Sequence, residues 1–342
     1  MVQGKHVITE WERIAPSDAG MDAKRLEALT AKIETDYSNT NGIVIVRKGS
    51  IVYEQYFNGY SKDDRHHVAS VTKSFLSALI GIAIEEGYIK GVEQKVIHLF
   101  PEYEWDDSNG LKQEITIRHL LTMTAPYAFE DWNEPLDIMC MQKDWVRYAL
   151  DVLGDNGPIG AFKYSTAGSH LLSAILTRTT GQSARAFANE RLCQRIGMNI
   201  IPDPEMTSYE FDDLFGGRVR GWVHDPYNYS TGGFGLTLSP RDMARFGLLY
   251  IRNGRWNEQK VIPQAWIQES TAMNANQYGY MWWLREEHNE LIYSAIGDGG
   301  NIICCIPNKD LVIASASAFM FHPKDRWSLI KDEILPAVIK SL

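Results

Sequence analysis

The chain has 342 residues, which at roughly 150 residues per domain predicts about two domains. Hydrophobic residues make up 44% and charged residues 23% of the sequence, the balance of an ordinary soluble globular protein. The net charge of −9 argues against nucleic acid as a partner, because contacts to phosphates need clustered Lys and Arg side chains.

The N-terminal part of the sequence predicts a helix, a hairpin and a second helix. Residues 21–37 have apolar side chains on one helical face. Apolar runs at 42–46 and 51–57, joined by a short turn that contains a glycine, predict two antiparallel strands. Residues 72–86 are apolar on nearly every side, which is typical of a buried helix, and Gly87 ends them.

The middle and the C-terminal part predict helices, then loops, then strands. Residues 115–124 and 165–200 have helical patterns, whereas 201–235 are rich in Gly, Asp, Pro and Tyr and predict long loops. Ser239 and Pro240 open another helix as its N-cap and first residue. Four strands and a final helix follow, at 278–284, 290–294, 302–306, 311–316 and 324–342.

This order of elements places strands near both ends of the chain and helices between them. The simplest assembly is an α/β domain made from residues 1–100 and 236–342. A mostly helical domain, residues 101–235, is then inserted between its two halves.

Location and cofactors are predicted from missing patterns. Residues 1–6 contain no apolar h-region, and the longest apolar stretch, 75–84, is too short to cross a bilayer. We therefore expect no signal peptide, no membrane partner and a cytoplasmic location. The four cysteines form no Cys-x-x-Cys and are expected to be reduced thiols. His-x-His and His-Glu-x-x-His are also missing, so no metal or other cofactor is expected. No pattern predicts an oligomeric state.

Ser70 and Lys73 stand three residues apart at the start of the apolar helix. Residues with this spacing are neighbours on one helical face, so Lys73 is expected beside the Ser70 hydroxyl. A serine hydroxyl becomes a good nucleophile when a base removes its proton. Burial among apolar residues lowers a lysine pKa and leaves a neutral amine to act as that base. The pattern predicts Ser70 as nucleophile and Lys73 as its base.

Two further patterns bear on this chemistry. Ser328 and Lys331 repeat the spacing late in the final helix, and we interpret that pair as chance on a surface. Tyr164 stands at the entrance of the helix predicted from residue 165. A phenol there can project into a cleft, where a neighbouring ammonium would lower its pKa and let it relay protons. The alternative is a packed tyrosine whose hydroxyl bonds a backbone carbonyl.

Several sequence blocks in one order resemble the serine β-lactamase and penicillin-binding-protein superfamily. They are 68–75 (VASVTKSF), 115–124 (ITIRHLLTMT) and 164–166 (YST). Later blocks resemble its class C β-lactamase-like branch of esterases, D-amino-acid peptidases and 6-aminohexanoate-dimer hydrolases. These blocks are 230–236 (STGGFGL), 240–247 (PRDMARFG) and 278–283 (YGYMWW).

The resemblance implies a fold, a site and residue roles. The fold is α+β and β-lactamase/transpeptidase-like: an antiparallel sheet flanked by helices, plus an all-helical domain, with the site in the cleft between them. Ser70 is the acylated serine, Lys73 its base and Tyr164 the second proton carrier. The backbone N–H groups of Ser70 and Asp298 form the oxyanion hole, and small residues such as Gly297 let the substrate approach. The alternative for this glycine cluster is a turn or bulge between strands.

The sequence departs from the family pattern at two places. Thr166 stands where the Tyr-x-Asn motif ends in Asn, and residues 295–297 read Ala-Ile-Gly instead of Lys-Thr-Gly. Residues 37–39 (YSN) match Tyr-x-Asn better, but they precede the nucleophile beside a strand and are interpreted as a turn. In the family, the Asn grips the side-chain amide of a β-lactam, and the Lys meets its carboxylate. The departures therefore favour small esters or amides as substrates.

The sequence thus predicts a serine hydrolase that cleaves small esters, with amides in second place, through an acyl-enzyme on Ser70. The substrate-binding residues are expected to be largely aromatic: Tyr127, Phe129, Trp132, Thr166, Tyr229, Trp282, Trp283 and Gly297. A β-lactamase, a D-alanine carboxypeptidase-type enzyme and a weakly catalytic penicillin-recognising scaffold stay open as alternatives. An α/β-hydrolase is disfavoured because no Gly-x-Ser-x-Gly occurs.

Overall fold

The computed structural model describes residues 10–104, 110–129, 134–154 and 157–339. Its α-helices are α1 (Ala23–Asp36), α2 (Val71–Glu85), α3 (Ile117–Leu121), α4 (Leu136–Cys140), α5 (Trp145–Asp151), α6 (Thr166–Thr180), α7 (Ala184–Ala188), α8 (Phe211–Phe215), α9 (Pro240–Ile251), α10 (Gln264–Ser270) and α11 (Arg326–Leu329). Its strands are β1 (Thr40–Arg47), β2 (Ser50–Tyr56), β3 (His66–His67), β4 (Thr237–Leu238), β5 (Arg255–Trp256), β6 (Gln259–Lys260), β7 (Trp283–Glu287), β8 (Glu290–Gly297), β9 (Asn301–Ile306) and β10 (Leu311–Ser317).

The main sheet combines strands from both ends of the chain. Its order is β2-β1-β10-β9-β8-β7, and every neighbouring pair is antiparallel. The strand pairs β3-β4 and β5-β6 stand apart from it. Segment 101–235 contributes helices but, in its described residues, no strand of this sheet. The antiparallel sheet with flanking helices confirms the predicted fold class, while the division into domains 1–100 plus 236–342 and 101–235 stays a prediction.

The sheet is covered by helices on both faces, as expected for strands that are apolar on two sides. On one face, α1 packs through Leu26, Leu29 and Ile33 together with the C-terminal helical segment. Asp22 caps α1 by accepting hydrogen bonds from two backbone N–H groups of its first turn. On the other face lie α2 and α9, so α2 stands between the sheet and the helices of the middle segment.

Helix α2 forms where its apolar run predicted it. All but the last two of its residues are buried, from Val71 to Ala83, and the helix packs against α6, α7 and β8. Gly87 follows with a φ of 80°, a left-handed conformation that glycine adopts without strain. Because both the core and α6 hold this helix, the residues at its N-terminus have a rigid support.

Three predicted elements differ from the structure. The helix predicted over 165–200 is broken at Gly181, whose φ of 73° ends α6. The strand predicted over 278–284 starts at Trp283, because Met281 takes a φ of 62° and donates its N–H to Leu121 O. The final helix continues from α11 as a π-helical turn, Ile330–Ile334. Pro336 lacks the N–H that an α-helix would use at that point, which accounts for the irregular turns.

Among the described residues, no helix combines the length and the apolar character needed to cross a membrane.

Candidate active site

The site is built around Ser70 at the start of α2. Val68 is buried and donates its N–H to Leu236 O, which fixes the chain just before the helix. Ala69 then takes a φ of 49°, a left-handed conformation that costs free energy for a residue with a side chain. This sharp turn places Ser70 at the N-cap position, on the wall of a cleft of about 2480 Å³. The positive end of the helix dipole therefore lies at Ser70.

Lys73 lies one helical turn further and points its amine at Ser70. Its Nζ is 3.1 Å from Ser70 Oγ, 3.2 Å from Thr166 Oγ1 and 3.1 Å from Gly233 O. The side chain is only 1% exposed. Burial lowers the pKa of Lys73 to about 8, although nearby Glu134 and Asp298 act in the opposite direction. About a tenth of the molecules therefore carry a neutral amine at pH 7, and most of them do above pH 8.

Tyr164 covers the other side of this pair. The centre of its ring is 4.7 Å from Lys73 Nζ, and its hydroxyl lies near enough to the Ser70 side chain for that group to act on the phenol pKa. The ring stacks on Trp283 with a centroid distance of 5.8 Å and meets Tyr278 edge-on. Burial raises the pKa of Tyr164 more than the Ser70 side chain lowers it. The lowered phenol pKa expected from the sequence is therefore wrong, because desolvation is the largest effect on this group.

Glu134 holds the helix that follows Tyr164. Its carboxylate accepts N–H bonds from Thr166 and Ala167 at the start of α6, the latter at 2.7 Å. The Ser165 hydroxyl also donates to it, at 3.3 Å. Burial raises the Glu134 pKa despite these bonds. Sequence reasoning missed this residue, because no spacing pairs position 134 with positions 165–167 until the chain has folded.

Strand β8 forms another part of the cleft wall. It ends at Gly297, where a Cβ atom would lie 2.2 Å from Val68 O and 3.0 Å from Ser70 N. Only glycine allows so close an approach of two backbone segments. The Ser70 N–H donates to no acceptor among the described residues. Asp298 follows Gly297 on the cleft wall, so the two N–H groups that the sequence assigned to an oxyanion hole belong to adjacent segments.

A family model described as Beta-lactamase matches residues 31–326. The chain belongs to the beta-lactamase family. This family member is 22% identical to the 6-aminohexanoate-dimer hydrolase of Paenarthrobacter ureafaciens, over 96% of its own length and 86% of that protein.

Two solved structures share the fold of this beta-lactamase-family hydrolase. The octameric penicillin-binding protein homologue from Pyrococcus abyssi matches with a TM-score of 0.68 and 20% identity, covering 92% of this chain and 78% of that one. EstCE1, a hydrolase with promiscuous acyltransferase activity, matches with a TM-score of 0.67 and 17% identity, covering 93% and 98%. The family and the β-lactamase-like fold that the motifs predicted are thus confirmed.

The cleft of this family member is lined differently from the aromatic pocket that the sequence predicted. Thr166, Gly297 and Trp283 do line it. Tyr127, Phe129, Tyr229 and Trp282 are not among the described residues on its walls. Trp282 is fully buried and packs on Phe246 and Tyr250 in the core, and Tyr127 is buried in a stack with Phe129. Trp132 lies outside the described residues.

Other aromatic residues take their place on the walls. Four come from the 201–235 loops and α8, and two from the segment after β10: Tyr209, Phe211, Phe215, Phe234, Phe319 and Phe321. The sequence predicted that the first segment would be loops, but it contains no period that shows which side chains turn inward. Within the described residues, no group of three or more His, Cys, Asp or Glu side chains could hold a metal ion.

Proposed function

We propose that this beta-lactamase-family hydrolase is a serine hydrolase that cleaves small esters, and amides in second place, through an acyl-enzyme on Ser70. The observation that carries the proposal is the 3.1 Å approach of a buried Lys73 Nζ to Ser70 Oγ at the wall of an open cleft. An amine at hydrogen-bonding distance with a lowered pKa is what activation of a serine requires.

Acylation begins when the neutral Lys73 amine removes the Ser70 proton while Oγ attacks the substrate carbonyl carbon. The carbonyl oxygen becomes an oxyanion that accepts hydrogen bonds from the N–H groups of Ser70 and Asp298. The raised pKa of Tyr164 keeps its phenol protonated, so it donates its proton to the departing alcohol or amine. The proton held by Lys73 then replaces the one that Tyr164 has given up.

Deacylation reverses these proton movements with water as the nucleophile. The neutral Lys73 amine takes a proton from the attacking water, the acyl–Oγ bond breaks, and the proton returns to Ser70 Oγ. The product acid leaves and the starting protonation state is restored. One substrate and one water are consumed, so the protons balance with Ser70, Lys73 and Tyr164 alone.

The preference for esters and amides over β-lactams is supported by two positions. Thr166 directs its hydroxyl at Lys73 Nζ instead of presenting the amide of the family's Asn. The strand that borders the nucleophile reads Ala295-Ile296-Gly297 and so offers no cation to the carboxylate of a β-lactam. The named activities of two similar proteins, a dimer hydrolase and a hydrolase with acyltransferase activity, both fit acyl transfer to a small nucleophile.

A substrate panel read by intact mass tests this proposal. The protein is incubated with p-nitrophenyl butyrate, the matching butyryl p-nitroanilide, a fluorescent penicillin and a chromogenic cephalosporin. We expect rapid turnover of the ester, slower turnover of the anilide and a butyryl adduct on the peptide that contains Ser70. Faster turnover of the cephalosporin would favour a β-lactamase, and a protein that takes no acyl group from any substrate would be a scaffold.

Replacing Tyr164 with Phe tests the proton carrier. Loss of the hydroxyl should lower kcat for p-nitrophenyl butyrate by about 100- to 10,000-fold, because the leaving group loses its acid. The stacking on Trp283 is kept, so KM and folding should change little. Tyr278→Phe is the matched control, since its ring lies against Tyr164 in the same aromatic cluster. If both variants lose the same activity, the effect is one of packing and the assigned role is wrong.

A further inference from the structure

Residues 37–39, whose sequence predicted a turn, lie at the end of the sheet where β1 begins and β10 ends. Asn39 is only 8% exposed. Its Nδ2 donates to Gly299 O at 2.6 Å and to Ala318 O at 2.8 Å, and its backbone O accepts from the N–H of Ala318. Gly299 belongs to the β8–β9 loop, Asp298–Gly300, which begins with the N–H proposed to bind the oxyanion. Asn39 therefore connects the segment before β1 to the β8–β9 loop.

The β8–β9 loop has a conformation that needs external support. Gly299 and Gly300 have φ values of 80° and 94°, so two successive residues adopt left-handed conformations, and glycine residues do not hold one conformation by themselves. The support comes from side chains, because one of them donates a hydrogen bond to each of the three loop carbonyls. Asn301 Nδ2 binds Asp298 O at 2.7 Å, Asn39 binds Gly299 O, and Ser317 Oγ binds Gly300 O at 3.4 Å.

Arg326 forms hydrogen bonds with two of these donors, Asn39 and Ser317. Its Nη2 donates to Asn39 Oδ1 at 2.7 Å and to the hydroxyls of Thr40 and Ser317, both at 3.1 Å. The guanidinium lies against Gly300, where a Cβ atom would be 2.7 Å from Cζ. Asn301 completes the set, because its Oδ1 accepts the N–H of Ser317. These five residues form one connected hydrogen-bond network behind the loop.

The burial of Arg326 indicates that this network serves more than stability. The side chain is 3% exposed, and its hydrogen-bond partners in the described part of the chain are all neutral. Burying a cation that no carboxylate hydrogen-bonds costs free energy, which the nearby charge of Asp325 offsets only in part and a neutral side chain would avoid. Burial lowers the Arg326 pKa to about 10, so the group stays charged at neutral pH. Its positive charge lies beside the loop that would face a developing oxyanion.

We propose that Asn39 and Arg326 are positioning residues that hold the β8–β9 loop so that the Asp298 N–H is fixed before the oxyanion forms. The inference rests on the proposed function, since it assigns a task to residues behind the oxyanion hole. Donors that are already oriented stabilise a transition state without reorganisation during the reaction. A displacement of such a donor by about 1 Å can cost on the order of 100-fold in rate.

Asn39→Asp tests the proposal with little disturbance of the fold. Aspartate keeps an acceptor for Arg326 and pairs with its charge, but it cannot donate to Gly299 O or Ala318 O. We expect kcat for p-nitrophenyl butyrate to fall by about 10- to 100-fold while KM stays within about twofold. Binding of a butylboronic acid, which forms a tetrahedral adduct with the serine, should weaken by a similar factor. Asn301→Asp, which loses the donation to Asp298 O, should act in the same direction.

Asn58→Asp is the matched control for these variants. Its Nδ2 also donates to two backbone carbonyls, Ser38 O and Thr40 O at 3.0 Å each, but it does not contact the β8–β9 loop. We expect this variant to keep the wild-type kcat and boronic acid affinity. If folded Asn39→Asp and Asn301→Asp behave like the control, the positioning role is wrong. The proposed function fails separately, if the wild-type protein itself forms no acyl-enzyme on Ser70.

Discussion

Ser70→Ala is expected to lower kcat/KM for p-nitrophenyl butyrate by about 10⁴- to 10⁶-fold and to abolish the butyryl adduct. Alanine lacks the oxygen that forms the acyl bond, and no base can replace a missing nucleophile. The fold should survive, because Ser70 makes no side-chain capping bond to α2. Steady-state kinetics, intact mass and thermal unfolding on one preparation measure all three outcomes. A variant with most of the wild-type activity would exclude Ser70 as the nucleophile.

Two further variants make the Ser70 result specific. Ser74→Ala removes a buried hydroxyl one turn along the same helix, where it donates to Met281 O. This variant should stay active but lose about 1 kcal/mol of unfolding free energy, because a buried carbonyl loses its donor.

Thr166→Val in the Ser70→Ala background removes a second hydroxyl that contacts Lys73 Nζ. Any residual activity that disappears in the double variant would come from Thr166.

The features that the sequence predicted well depend on local geometry. The spacing of Ser70 and Lys73 needs only the period of one helix, and an all-apolar run was enough to predict that this helix is buried. The hairpin of β1 and β2 follows from two apolar runs around a short turn. Such patterns predict the folded structure correctly because the interacting residues are close along the chain. The order of the motif blocks then indicated the family, which the match over residues 31–326 confirms.

The features that it missed depend on contacts between distant residues or on register. Trp282 and Trp283 are adjacent at the start of β7, so their side chains point to opposite faces of the strand. The sequence does not show which of them faces the cleft, and the structure buries Trp282 and exposes Trp283 to it. The direction of the Tyr164 pKa was missed for a similar reason, because desolvation is set by the whole surrounding fold.

The Tyr-x-Asn pattern at residues 37–39 shows most clearly what the sequence alone could not predict. Its residues match the family motif, whereas the sequence prediction places that motif at residues 164–166. Asn39 nevertheless donates a hydrogen bond to Gly299 in the β8–β9 loop, which lies 260 residues further along the chain. Spacing rules describe neighbours within one element, so they cannot pair residues that are distant along the chain and meet at one end of the sheet.

Lys73 gives the second large effect, in the pH dependence of the wild-type reaction. Only the neutral amine accepts the Ser70 proton, so kcat/KM for p-nitrophenyl butyrate should rise as Lys73 loses its own proton. With a Lys73 pKa of about 8, activity should increase about tenfold per pH unit below pH 7 and level off above pH 9. A profile that is flat between pH 6 and 9, in a protein that stays folded, would contradict Lys73 as the base.

The Lys73→Arg variant distinguishes the role of Lys73 as a base from the effect of its positive charge. Arginine is not deprotonated in this pH range, so the variant keeps a cation near Ser70 but cannot accept its proton. We expect its kcat/KM to lie at least ~1000-fold below that of the wild-type enzyme at pH 9, with no rise between pH 6 and 9. An Arg variant that keeps the rising limb would show that another group, such as Tyr164, supplies the base.

The same pKa predicts how Lys73 affects stability. In the unfolded chain Lys73 titrates near 10.5, and in the folded protein near 8, so between these values the unfolded chain binds more protons. The free energy of unfolding contributed by Lys73 therefore rises with pH across this window, by about 3 kcal/mol in total. Lys73→Met lacks the titrating group. Urea unfolding of both proteins at pH 7.5 and 10 should show the wild-type protein gaining stability relative to the variant. An unchanged difference would mean that burial does not depress the lysine pKa, and that the amine reaches Ser70 in its charged form.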